Sequence, residues 1–219
     1  MMEKKYDLIV FDMDGTILDT LEDLTDSMNH VLNEYGYTTR TIDEIRSFVG
    51  NGLYNLVRLA VPDGTSEEQI QTVLASMKTY YGSHNDIKTR PYDGILDLIH
   101  SLRIAGYQTA VVSNKIDSGV QALCEVYYKG LFDVAIGEKD GIARKPAPDM
   151  VYAALNALGV SKDRAVYVGD SEVDVATAQN AGLDLIAVAW GFRGADFLRS
   201  HGADKVYESP QQVGKYLGV

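Results

Sequence analysis

The run Tyr6-Asp7-Leu8-Ile9-Val10-Phe11 has the length and β-branched content of a buried strand. It ends on acid, because Asp12-Met13-Asp14-Gly15-Thr16-Ile17-Leu18-Asp19 follows at once. From residue 20 the hydrophobic period changes. Leu21, Leu24, Met28, Val31, Leu32 and Tyr35 recur at spacings of three and four until Gly36, which marks an amphipathic helix. Ile42, Ile45 and Phe48 predict a second helix ending at Gly50, and Leu53, Leu56, Val57 and Ala60 a third ended by Pro62. Ile70, Val73, Leu74, Met77 and Tyr80 predict a fourth, with Ser66 as its N-cap and Gln69 three residues on. Residues 20–82 thus read as an α-helical bundle, and Gly82-Ser83-His84-Asn85-Asp86 has the composition of a linker.

Beyond Pro91 helix and strand alternate. The pattern predicts helices over 95–104, 117–128, 149–158 and 173–181, and strands over 107–112, 132–136, 165–169 and 183–189. Short helices close the chain near 195–200 and 210–217. Alternation at this spacing implies a parallel sheet covered on both faces. The first strand belongs to that sheet. The expected fold class is therefore α/β: a Rossmann-like parallel-sheet core over 1–19 and 83–219, with the α-helical bundle 20–82 inserted into it.

Composition narrows the partners. With 219 residues and 46% hydrophobic content, the chain can bury a sizeable core and is not disordered. A formal charge of −11 and the lack of a basic stripe argue against nucleic acid. Cys124 is the only cysteine, so no internal disulfide forms. No signal peptide and no bilayer-length apolar segment is present, which leads to the expectation of a cytoplasmic protein with no membrane partner. Monomer and homodimer both remain open.

Four polar clusters fall at the ends of four predicted strands. Asp12 and Asp14 follow the first, where one carboxylate can attack as a nucleophile while its neighbour handles the proton. Ser113-Asn114-Lys115 follows Val112 and can hold a phosphoryl oxygen through hydroxyl and backbone amides. Taken alone, Ser-Asn after a strand reads as a helix cap. Arg144-Lys145-Pro146-Ala147-Pro148-Asp149 places a lysine near a helix start, which by itself reads as a solvated loop. In Gly169-Asp170-Ser171-Glu172-Val173-Asp174, Asp170 and Asp174 share a face if a helix begins between them. Clustered carboxylates with few soft ligands suit a hard cation such as Mg²⁺. An order that gathers two acids, a hydroxyl, a lysine and two further acids at one sheet edge is not coincidence.

On these motifs the chain resembles the haloacid dehalogenase superfamily of phosphohydrolases, and the bundle over 20–82 resembles the helical cap that some members insert after the first motif. Within the superfamily it is most similar to phosphoglycolate phosphatases, through Phe48-Val49-Gly50-Asn51-Gly52, Ser113-Asn114-Lys115, Lys145-Pro146-Ala147-Pro148-Asp149 and Trp190-Gly191-Phe192. The resemblance implies a Mg²⁺-dependent phosphatase acting on a small phosphorylated metabolite, with 2-phosphoglycolate as lead candidate. It implies Asp12 as nucleophile, Asp14 as acid and base, and Lys145 as the neutralising cation. Thr16 and Ser113 would bind the phosphoryl group, with Asn114 beside them. Mg²⁺ would be held by Asp12, the Asp14 carbonyl and Asp170, with Asp174 as a further or water-mediated partner. Pyrophosphatases, nucleotidases and sugar-phosphate mutases carry the same cap type and are the alternative readings. A binding protein without catalysis would have lost Asp12, Asp14, Lys145 or Asp170, and all four are present.

Other residues carry two readings. Gly50-Asn51-Gly52 either touches the leaving group or forms a tight interhelical turn. Arg58 binds a carboxylate or lies on a solvated helix face. Lys115 is expected to steer an anionic substrate, Asp19 to cap the first helix of the bundle, and Trp190-Gly191-Phe192-Arg193-Gly194 to line the cleft. His30, His84, His100 and His201 lie outside every motif and read as surface or packing residues.

Overall fold

In the computed structural model, which describes residues 4–219, the first apolar run is strand β1 (Leu8–Phe11), buried along its whole length. The chain continues through β2 (Leu18–Asp19) to α1 (Leu21–Glu34), α2 (Ile42–Phe48), α3 (Gly52–Ala60) and α4 (Glu67–Gly82), then β3 (Arg90–Pro91). There follow α5 (Ile95–Ile104), β4 (Gln108–Ile116), α6 (Asp117–Tyr127), β5 (Val134–Glu138), α7 (Asp149–Leu158) and β6 (Ala165–Gly169). The chain ends with α8 (Glu172–Ala181), β7 (Asp184–Val188), α9 (Ala195–Ser200), β8 (Val206–Tyr207) and α10 (Pro210–Leu217).

Six strands form one sheet in the order β5-β4-β1-β6-β7-β8, every neighbouring pair parallel. The α/β class read from the alternation is the class observed. Leu8 and Val10 pack with Met150, Val151 and Ala154 of α7 and with Ala178 of α8. Ile9 and Phe11 pack with Ile95 and Ile99 of α5, Val120 of α6 and Val213 of α10. Burial on both faces is why β1 is apolar at every position instead of at alternate ones. On either side of β1 the strand order runs in opposite directions, and Phe11 is in register with both Val111 and Val168. At such a switch point the space beyond the strand ends receives ligands.

The chain divides into two units: Asp19–Arg90, and the described residues up to Leu18 together with Pro91–Val219. Residues 83–90, expected in the α/β core, therefore stay with the helices. Asp23 supplies the reason. Buried in the first turn of α1, its carboxylate accepts the Lys88 backbone N–H at 3.0 Å and that of Thr89 at 2.8 Å. Within this unit Thr41 with Glu44, and Ser66 with Gln69, form reciprocal caps on α2 and α4. His30 and His84 both stack on Tyr80, so these two histidines pack against an aromatic ring. Asp19 does not cap α1: its carboxylate lies 3.1 Å from Arg90, and Thr20 occupies the N-cap position.

Strand β4 differs most from expectation. It runs through Ser113, Asn114 and Lys115 to Ile116, with a register irregularity between Val112 and Ile116. The cluster is thus part of the strand, and the cap reading fails: Ile116 is the N-cap of α6 and makes no side-chain cap bond. Two-residue β8 carries too short a pattern to be read from sequence. Among the described residues no helix is long and apolar enough to cross a membrane.

Candidate active site

Asp12 continues the ladder one residue past β1, its N–H donating to the Val168 carbonyl at 2.9 Å. Strand parity puts it in phase with Leu8 and Val10, on the face to which Tyr167 of β6 also belongs. Lys145, just ahead of α7, meets both. Its side chain is 2% exposed, and Nζ lies 2.7 Å from Asp12 Oδ1, 2.8 Å from Asp174 Oδ1 and 3.0 Å from the Tyr167 hydroxyl. An ammonium has three donors, and here each has an acceptor. Burial works against the charge, but the Asp12 and Asp174 carboxylates outweigh it and hold the Lys145 pKa well above the ordinary lysine value. The solvated-loop reading of Lys145 is overturned.

Asp174 is the third residue of α8. Its Oδ2 accepts from Ser171 Oγ at 2.7 Å, Ser171 N at 3.1 Å and Asp170 N at 3.2 Å, while Oδ1 takes Lys145 and, at 3.1 Å, the Tyr167 hydroxyl. Ser171 in turn caps α8. Asp170 is held from two directions. The Thr16 hydroxyl donates to its Oδ1 at 2.9 Å and the Phe192 backbone N–H to its Oδ2 at 2.8 Å. The Trp190 indole N–H donates to the Thr16 carbonyl at 2.9 Å, so the Trp190-Gly191-Phe192 loop braces Thr16 and Asp170 together. A Cβ on Gly191 would overlap the Gly15 carbonyl oxygen and the Asp170 side chain.

Carboxylate oxygens of Asp12, Asp170 and Asp174 all lie within 4.8 Å of one another. Three buried carboxylates face one ammonium, an imbalance that a divalent cation would correct. Burial, reinforced by Asp174, pushes the Asp12 carboxyl well above the usual range and that of Asp170 up to about 7. All donors are hard oxygens, so the site fits a hard divalent cation. Five donors already engage Asp174, which leaves Asp12 and Asp170 as the side chains best suited to direct ligation.

Asp14 stands apart from this cluster. It follows the β1 end at the turn where Gly15 takes φ +88°, and its Oδ1 lies 3.2 Å from Lys115 Nζ. Lys115 is 3% exposed, so its ammonium is buried on Asp14 and is not displayed as a steering charge. Ser113 Oγ accepts from the Lys115 backbone N–H at 3.2 Å, and Asn114 Nδ2 donates to the Lys145 carbonyl at 3.0 Å, tying β4 to the lysine segment. Gly50 and Gly52 both take positive φ around Asn51, the geometry of a turn between α2 and α3. Arg58 donates to Asn55 on its own exposed helix face at 3.0 Å. Tyr167 was missed by sequence reasoning, since in Ala165-Val166-Tyr167-Val168 it reads as one more apolar strand residue. Only the register of β6 with Val10 could have singled it out.

Acids at the ends of β1 and β6, with a lysine brought up from the loop before α7, place the chain among α/β proteins whose polar site lies at the carboxyl edge of a parallel sheet. The chain belongs to the haloacid dehalogenase-like hydrolase family, whose model matches residues 9–188. It is 32% identical over 213 residues to phosphoglycolate phosphatase 1 of Pseudomonas aeruginosa, covering 94% of this chain and 75% of that protein. It is 29% identical over 220 residues to the pyrophosphatase PpaX of Bacillus pumilus, covering 100% of both. A crystal structure from Lactobacillus delbrueckii subsp. bulgaricus, provisionally named phosphoglycolate phosphatase, matches with a TM-score of 0.93 and 41% identity, over 97% of this chain and 98% of that one. The protein is thus a hydrolase of the phosphatase type.

Proposed function

We propose that this chain is a Mg²⁺-dependent phosphatase that hydrolyses a small phosphate monoester through an aspartyl-phosphate on Asp12. The observation that carries the reading is the position of Asp12, buried at the end of β1, bound to Lys145 and grouped with Asp170 and Asp174. In the first step an Asp12 carboxylate oxygen attacks phosphorus, the ester P–O bond breaks, and the Asp14 carboxyl gives its proton to the departing oxygen. In the second, Asp14 takes a proton from water, the water oxygen attacks phosphorus, and the bond to Asp12 breaks to release phosphate. Lys145 offsets the charge that gathers at Asp12. Ser113 Oγ, already accepting from Lys115 N, keeps its O–H to donate to a phosphoryl oxygen. Thr16 holds Asp170 in place. When bound by Asp12, Asp170 and the Asp14 carbonyl, Mg²⁺ would supply the positive charge that lets a carboxylate approach a phosphate dianion.

The lead substrate is 2-phosphoglycolate, supported by the Pseudomonas aeruginosa relative. Pyrophosphate is the second reading, favoured because the alignment with the Bacillus pumilus pyrophosphatase runs the length of both chains. Phosphate release from a panel of phosphometabolites, with and without Mg²⁺, decides between them. Turnover is expected only with Mg²⁺ and with the highest kcat/KM on 2-phosphoglycolate. An acid-quenched phosphoenzyme should form in the native protein and vanish in Asp12→Asn. Undiminished turnover by Asp12→Asn would overturn the mechanism.

A further inference from the structure

We infer that Lys115 is a positioning residue that fixes the Asp14 carboxyl where it can reach the departing oxygen; this rests on the reading of Asp14 as acid and base. Three features of the structure point to it. First, the ammonium is paired with Asp14: Nζ lies 3.2 Å from Oδ1 with the lysine side chain 3% and the aspartate side chain 16% exposed. A lysine held out of water needs an anionic partner, and the pair spans 101 residues, so it is not an accident of neighbouring positions. Second, β4 is extended to deliver it. The register irregularity after Val112 carries the strand through Lys115, and the Lys115 N–H is held by Ser113 Oγ. Third, the stem is boxed in. It crosses Gly119 in the first turn of α6, where a Cβ would sit 3.5 Å from Lys115 Cε and 3.6 Å from Cγ. Gly137 of β5 lets the neighbouring strand approach so closely that a Cβ there would fall 2.6 Å from the Lys115 carbonyl oxygen.

A carboxyl that transfers a proton must stand within roughly 2.6–3.2 Å of the receiving oxygen. An aspartate at a turn with no fixed partner would divide its time among rotamers, and misplacement by about 1 Å can cost a large factor in rate. Asp14 lacks the enclosing bonds that Asp170 and Asp174 receive, and Lys115 supplies the constraint from the adjacent strand end.

The test exploits leaving groups. Because kcat/KM reports steps up to the first irreversible one, it isolates cleavage of the ester bond. p-Nitrophenyl phosphate has a leaving group that departs without a proton, whereas an alkyl phosphate such as glycerol 3-phosphate needs one. With Mg²⁺ present, Lys115→Met should lower kcat/KM for the alkyl ester by about 10-fold or more, and for the nitrophenyl ester by less than about threefold. Lys115→Arg should recover most of the loss, since a cation again reaches Asp14. Asp14→Asn should show the same selectivity, more strongly. Equal losses on both esters in Lys115→Met, with Asp14→Asn selective, would overturn the positioning role alone. A rise in KM at unchanged kcat would do the same by making Lys115 a substrate ligand. If Asp14→Asn is itself unselective, the acid role fails and the proposal fails with it. Circular dichroism and thermal melting of Lys115→Met and Lys115→Arg separate these results from misfolding.

Discussion

Lys145 Nζ lies 2.7 Å from Oδ1 of Asp12, and this ion pair, buried on both sides, is the point where the loop before α7 meets the end of β1. It is the contact on which the carboxylate cluster depends, because Lys145 is the cation that separates Asp12 from Asp174.

Removing that cation should be severe. Lys145→Met leaves the buried Asp12 and Asp174 carboxylates facing each other without their shared cation, and breaking a buried pair from one side typically costs about 3–5 kcal/mol. The expected outcome is loss of turnover together with a lowered denaturation midpoint. Lys145→Arg should not restore activity, since a planar fork cannot meet three acceptors arranged around one compact ammonium. Urea unfolding and phosphate release on the two variants check both statements.

Tyr167→Phe isolates the third acceptor of Lys145. The phenol ring stays in the core while its hydroxyl, 3.0 Å from Lys145 Nζ and 3.1 Å from Asp174 Oδ1, is lost. Stability should fall by about 1 kcal/mol. A less constrained lysine should lower kcat by roughly tenfold at unchanged KM. An unaltered kcat would show that Asp12 and Asp174 alone hold the ammonium.

The glycine beneath Asp170 makes a different prediction. Gly191→Ala drives a Cβ into the Gly15 carbonyl and the Asp170 side chain, neither of which can yield without moving the carboxylate from its Thr16 and Phe192 donors. Disturbing the partners that orient a metal ligand typically weakens binding by about 10- to 100-fold. Half-saturating Mg²⁺ in the activity assay should rise by that order, with a smaller change in kcat at saturating metal. Isothermal titration with Mg²⁺ gives an independent reading.

Much of this architecture was readable because burial leaves a period in the sequence. The unbroken run Leu8–Phe11 announced a strand covered on both faces, and the reciprocal Ser66–Gln69 cap marked the start of α4. The acids after β1 and β6 stood out as charge at the ends of apolar runs. What stayed hidden depends on contacts across the chain. Tyr167 reads as a packing residue until β6 is set in register beside Val10. Lys115 reads as a cation that steers an anionic substrate until the irregularity in β4 carries it alongside Asp14. Residues 83–90 read as part of the α/β core because the Asp23 side chain that binds the Lys88 and Thr89 amides lies on a helix far earlier in the chain. Period and composition report the environment of one element at a time; pairing between distant elements leaves no local signature.

The pH dependence of metal loading follows from the buried acids. Burial holds the Asp12 carboxyl well above its ordinary range and that of Asp170 at about 7, against roughly 3.9 in an unfolded chain. A carboxyl raised in this way contributes stability while protonated, in full below about pH 4, and that contribution is lost as pH rises through about 7. Protein kept in chelator should therefore melt at progressively lower temperature across that window. Held by Asp12 and Asp170 as proposed, Mg²⁺ would compete with those same protons and offset the buried charge, so its stabilisation should be small near about pH 5 and large near about pH 8. At about 100 times its dissociation constant, a ligand specific to the native state adds about 2.7 kcal/mol. Melting curves with chelator and with excess Mg²⁺ at several pH values give the comparison, and a Mg²⁺-induced shift of the same size at every pH would show that Asp12 and Asp170 do not hold the ion.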